Sequence, residues 1–227
     1  MPNHRATPAD PAGLARAAQA IASGGLVVIP TDTVYGVAAN PRDQAAAARL
    51  FAAKGRPAHL ALPVLVPDAA AAAGLAARLG PAAAALMAAF WPGPLTLVVE
   101  ADPAAALHLG GPAGARGTIA LRQPDHPAAL ALLRLTGPLA VTSANLSGQP
   151  PALTCAEALR QLGGAVAVGL EAGVARGGKA STIVDLARGG CAVLRPGAVP
   201  AGAVRRALAA AGLAPQPAAA ARERVAR

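Results

Sequence analysis

Short apolar runs, most of them four to six residues long, recur along this chain and alternate with stretches of helical period. That alternation predicts an α/β fold: a twisted mixed β-sheet with flanking helices. Leu26–Ile29 (LVVI) is apolar at every position, so it suits a strand buried on both faces. Further strands are expected near 62–66, 95–100, 118–122, 139–142, 165–170, 182–186 and 192–194. Asp10-Pro11 pairs an N-cap with proline at the first helical position; Leu14, Ala17, Ala18 and Ile21 line one face, and Gly24-Gly25 stop the helix. Asn40-Pro41 repeats the cap signal, with Asp43 in the first turn, and predicts a helix to about Ala53. Other helices are expected near 68–79, 81–90, 127–135, 155–162 and 201–211, the one from 155 opened by a capping box of Thr154 and Glu157. With no linker and no fixed-period repeat, one catalytic domain over 1–212 is expected, followed by a disordered basic tail over 213–227.

Several function classes lose support from composition. No run of strongly apolar residues reaches the length of about 18 that a membrane span needs, so no membrane association is expected. The first residues, MPNHRATPADPAG, lack the apolar core of a secretion signal. Cys155 and Cys191 have no metal-like spacing and suit a reducing, cytoplasmic setting. The four histidines are scattered. The net charge of +9 points to an anionic partner, a nucleotide or RNA. The near absence of aromatics (Tyr35, Phe51, Phe90 and Trp91 only) argues against stacking on single-stranded RNA as the main role.

Five strand ends or loops carry polar residues that packing alone does not require: PTDTVYG (30–36), KGRP (54–57), Thr118 with Arg122, TSANLSG (142–148), and Ser181-Thr182 with Arg195. Hydroxyls and exposed backbone N–H groups bind phosphate oxygens, while arginine offers a planar fork to phosphate or carboxylate. Ligands of open α/β sheets bind at strand ends. Taken singly, each segment also suits a local structural role, as a turn, a cationic helix end, a helix cap or a surface arginine. Together they indicate a site for a polyanion beside a small carboxylate.

GVARGGKAS (173–181) nearly matches a phosphate loop, but Ala180 stands where the magnesium-binding hydroxyl belongs. The strand-like TIVDL (182–186) follows instead of a helix, so the motif is rejected, with Lys179 kept as a mobile phosphate contact. No G-x-S-x-G, no Cys–His pairing and few carboxylates are present. Catalysis by positioning and charge stabilisation is expected rather than a covalent nucleophile.

In order, PTDTVYG, KGRP, FWPGPLTLV, TIALRQPDHP, TSANLSG, STIVDL and VLRPGAV resemble the YrdC-like family of threonylcarbamoyl-AMP synthases, in its short, single-domain type. The resemblance implies a YrdC-like fold with a basic concave cleft. It also implies a nucleotidyltransferase that joins L-threonine, bicarbonate or CO2, and ATP into threonylcarbamoyl-AMP and pyrophosphate. The product serves N6-threonylcarbamoyladenosine formation at tRNA position 37 through a separate transfer complex. Carried across by motif, Thr33, Arg122, Val141 and Ser181 are expected at threonine, with Arg122 pairing its carboxylate. Lys54, Arg56, Leu60, Thr118, Ser143, Asn145, Pro151 and Arg195 are expected at ATP, and Lys54, Arg56, Ser143 and Arg195 form the catalytic set. Magnesium is expected as a helper held chiefly by phosphate oxygens rather than by the protein. Leu60, Leu65 and Pro151 depart from the polar residues, histidine and hydroxyl of many members, which bears on selectivity more than on reaction class. Competing readings are an RNA-binding YrdC-like paralogue without synthase activity and a hydrogenase-maturation paralogue making another carbamoyl-adenylate.

Overall fold

The expected alternation is present in the computed structural model, which describes residues 6–111 and 117–213. In chain order the elements are β1 (Ala6–Pro8), α1 (Pro11–Ala22), β2 (Leu26–Ile29), β3 (Gly36–Ala39), α2 (Gln44–Lys54), β4 (Val64–Leu65), α3 (Ala69–Ala73), α4 (Pro81–Phe90) and β5 (Leu95–Glu100). There follow β6 (Thr118–Arg122), α5 (Pro127–Thr136), β7 (Leu139–Ser143), α6 (Cys155–Leu162), β8 (Val166–Glu171), β9 (Thr182–Asp185), β10 (Ala192–Arg195) and α7 (Ala201–Ala210). Residues 214–227 of the expected tail lie outside the described residues.

Local chemistry sets the element ends. The Asp10 carboxylate accepts the Gly13 N–H at 2.8 Å and opens α1. Thr154 and Glu157 close a reciprocal capping box on α6. The helix expected from Pro41 begins only at Gln44, because the Asp43 carboxylate accepts from Ala45 N and Ala46 N at 2.8 and 3.0 Å and is itself the N-cap. The helix expected over 68–79 stops at Ala73. Beyond it Ala76 bridges Ala101, and Ala77 N donates to Glu100 O, so that segment pairs with the sheet. Two strands carry no clear sequence signal: β1, three residues long, and β3, whose Gly-Val-Ala-Ala sequence has neither bulk nor alternation.

Among the described residues the strands form one sheet in the order β1-β8-β2-β3-β7-β4-β6-β5-β9-β10, with parallel and antiparallel pairings mixed. The pleat of β2 explains its unbroken hydrophobicity. Leu26 and Val28 pack with Leu50 of α2 and Ala158 of α6, while Val27 and Ile29 pack with Ile21 of α1 and Leu132 of α5. Helices α3, α4 and α7 cover β5, β6 and β9 through Leu86, Leu97, Leu121, Val184 and Leu208. The register Val64↔Ala140 and Val64↔Leu121 places these helices on the same face of the sheet as α2 and α6.

The opposite face is covered only in part, by α1 and α5 over β8, β2, β3 and β7. Over the other half of the sheet no described helix packs: Thr96 of β5 and Arg122 of β6 are buried by their hydrogen bonds to loop residues, while Thr118, Ala120, Val98 and Ile183 are part-buried. This half-face, uncovered by helices and bordered by the loop after β2, is where the polar strand ends meet.

Candidate active site

Pro30 to Tyr35 links β2 to β3 in a tight loop that stabilises itself. Thr31 Oγ1 donates to Val34 O at 2.6 Å and lies 2.9 Å from Thr33 Oγ1. Tyr35, fully buried, donates through its hydroxyl to Gly173 O at 2.7 Å, and burial pushes that hydroxyl up to about 12. Ala144 N donates to Tyr35 O, so the loop that follows β7 is fastened to the same segment.

Arg122, at the end of β6, is only 6% exposed. Its guanidinium donates from Nε to Gly93 O at 3.0 Å, from Nη1 to Thr33 Oγ1 at 3.0 Å and from Nη2 to Asp32 Oδ1 at 2.5 Å. The register of β5 with β6 puts Thr96 on the same face, and Thr96 Oγ1 lies 2.8 Å from Ser181 Oγ. Arg195, at the end of β10, donates from Nη2 to Ser181 O at 2.8 Å and to Ser181 Oγ at 3.2 Å. Gly197 allows this close approach, since a Cβ there would stand 2.4 Å from Ala180 O. Thr33 with Arg122, and Thr96 with Ser181 and Arg195, thus form two hydrogen-bonded groups at this half-face.

The second half of the site descends from the C-terminus of α2. Lys54, 3% exposed, donates its ammonium to the carbonyls of Ser143 and Asn145, which fixes the loop after β7. Asn145 Nδ2 donates to Leu146 O and Gln149 O, both at 2.8 Å. Arg56 is held by the carbonyls of Leu60 and Ala61, each at 3.0 Å. Burial pushes Lys54 down to about 8, with the Arg56 charge adding to the effect. Burial lowers Arg56, and the charge of Arg195 lowers it further. Arg122 is lowered by burial, raised by Asp32 and lowered by Arg195. Arg56 and Arg122 thus both feel the charge of Arg195, and Lys54 feels that of Arg56, while Arg195 itself is lowered by burial: the cations are electrostatic neighbours, with Asp32 against one end.

Each anticipated residue has a definite place. Val141 is buried in β7, Ser143 ends that strand, and Thr118 is part-buried on the uncovered half-face. The exposed Leu60 side chain leaves the contact with Arg56 to its backbone carbonyl. Pro151 is exposed and precedes Ala152, whose carbonyl accepts from Tyr35 N. Leu65 is buried against Leu132, Leu133 and Leu139. Lys54 contacts backbone carbonyls, which makes its place in the site one of loop support. Sequence reasoning assigned no role to Asp32, Thr96 or Gly197. Thr96 did leave a signal, as a hydroxyl inside an otherwise aliphatic strand.

Hydroxyls and converging cations suit anionic oxygens in number. Among the described residues no group of three or more His, Cys, Asp or Glu could hold a metal, so they offer no cage for a divalent ion.

The profile of the Sua5/YciO/YrdC family, described as "Telomere recombination", matches residues 19–197. A relative from Mycobacterium tuberculosis is 47% identical over 187 residues, which is 82% of this chain and 85% of the relative. The threonylcarbamoyl-AMP synthase of Bacillus subtilis is 38% identical over 187 residues, 82% of this chain and 54% of its own length. The crystal structure of Pyrococcus abyssi Sua5 complexed with L-threonine superposes with a TM-score of 0.79 at 35% identity, covering 86% of this chain and 57% of that one. The chain thus spans about half the length of the Bacillus and Pyrococcus proteins and most of the mycobacterial one.

Proposed function

The chain belongs to the Sua5/YciO/YrdC family, and on that premise we propose that it is an L-threonylcarbamoyladenylate synthase, a nucleotidyltransferase acting on L-threonine, bicarbonate or CO2, and ATP. The observation that carries this reading is the placing of Arg122 with Thr33 and of Arg195 with Ser181 at strand ends on one sheet face, with Arg56 near enough for the charge of Arg195 to lower it.

Arg122 and the Thr33 hydroxyl take the threonine carboxylate, with Ser181 and the Val141 backbone beside it. Arg56, Arg195, Thr118 and the Ser143–Asn145 loop take the triphosphate. The neutral amine of threonine attacks the carbon of CO2, forming a C–N bond and losing a proton to give a carbamate. A carbamate oxygen then attacks the α-phosphorus as the bond to pyrophosphate breaks. Arg56 and Arg195 offset the charge that spreads over the phosphoryl oxygens, and alignment supplies the remainder of the catalysis. Magnesium brought with the nucleotide would be held by phosphate oxygens rather than by this chain's residues, and would supply charge neutralisation at the pyrophosphate beside Arg56 and Arg195. The product passes to a tRNA-threonylcarbamoyl transfer complex in the cytoplasm.

Pyrophosphate release tests the reading. It is expected only with ATP, threonine and bicarbonate all present, and release that survives omission of threonine or bicarbonate contradicts it. RNA binding without ATP consumption would favour a binding paralogue.

A further inference from the structure

Asp32 lies inside the polar loop after β2 yet has no part in the reaction just described. Its Oδ1 accepts from Arg122 Nη2 at 2.5 Å and from Asp125 N at 3.0 Å. One carboxylate oxygen therefore ties that loop to the last residue of β6 and to the loop entering α5. Of the five guanidinium donors of Arg122, Gly93 O, Thr33 Oγ1 and Asp32 Oδ1 engage three. Gly93 and Thr33 are neutral, so the contact with Asp32 is the strong, charge-assisted one. Asp32 side-chain exposure is 14% and that of Arg122 is 8%, so water does little to weaken the pair. Asp32 also lines a pocket of about 520 Å³ with Asp125, His126 and Arg176, and Arg122 is not among that pocket's lining residues.

We propose that Asp32 is a positioning residue for the threonine step: its carboxylate fixes the rotation of the Arg122 fork, so that the remaining N–H groups meet the substrate carboxylate already aligned. Bidentate recognition depends on the orientation of the fork, so losing the tether weakens threonine binding without touching the nucleotide half. This rests on Arg122 being the threonine carboxylate partner.

The test compares D32A, D32N and D32E with R122A, measuring KM for threonine and for ATP, kcat, and thermal unfolding. D32A is expected to raise the threonine KM at least about tenfold, leaving the ATP KM within about twofold. D32N keeps an acceptor at the same point but loses the charge, and is expected to raise the threonine KM by less than D32A does. D32E keeps the charge but displaces the fork, and is expected to raise the threonine KM selectively even if D32A does not fold. An unchanged or lowered threonine KM in D32A or D32E overturns the proposal, as do equal threonine and ATP defects. If R122A also leaves the threonine KM unchanged, the assignment of Arg122 has failed; if R122A alone is defective, only the role of Asp32 has.

Discussion

At the residue scale, the site divides its cations by environment. Arg122 is buried and tethered, so Arg122→Ala removes a desolvated charge; such losses cost about 2–5 kcal/mol, roughly thirtyfold to several thousandfold in kcat/KM. The defect is expected in threonine use, with Arg56→Ala and Arg195→Ala showing theirs in ATP use; initial-rate kinetics over both substrates check this. Lys54 makes a prediction of its own. Its folded pKa of about 8 lies below the ordinary 10.5, so between these values the unfolded chain binds more protons. The destabilisation from its buried charge is therefore complete below pH 8 and is relieved as pH rises towards 10.5. Urea unfolding at pH 7 and pH 9.5 is expected to show wild type gaining stability relative to Lys54→Met; no relative gain contradicts the burial-driven shift. Residue chemistry was legible here because Thr33, Arg56, Ser143, Ser181 and Arg195 stand in polar motifs at the ends of apolar runs. Asp32 was not, because an aspartate between two threonines reads equally well as a turn that satisfies its own backbone.

At the element scale, most strands and helices followed from run length, caps and period, as in β6 (Thr118–Arg122) and α6 (Cys155–Leu162). Where expectation failed, longer-range contact decided. The segment after Ala73 turns to pair with β5, and β3 owes its place to pairing with β2 and β7 rather than to propensity. Helix α5 covers the half of the sheet next to the site through Leu132 and Leu133, both fully buried. Leu132→Ala is expected to cost about 2–5 kcal/mol while leaving both KM values near wild type; calorimetric unfolding and kinetics together check it. Gly197→Ala should touch both stability and kinetics. Its Cβ meets the backbone of Ala180, Ser181 and Thr182, so it is expected to lower kcat/KM at least about tenfold together with a loss of stability.

At the scale of the whole molecule, function depends on strand order. The chain threads its sheet so that β6 and β9 flank β5, and β3 and β4 flank β7, which brings loops more than 100 residues apart in sequence to one face. No local pattern encodes that order. The sequence could show that polar loops follow strands, and the uneven helix cover shows which face they reach. The net charge of +9 acquires a local meaning too, since the buried Lys54 and Arg122 and the more open Arg56 and Arg195 stand around the place proposed for the substrates. The most direct test of that account is mass spectrometry of the product formed from ATP, threonine, magnesium and ¹³C-bicarbonate. The account predicts an adenylate that contains threonine and carries the heavy carbon. An unlabelled threonyl-adenylate, or no adenylate at all, would contradict it.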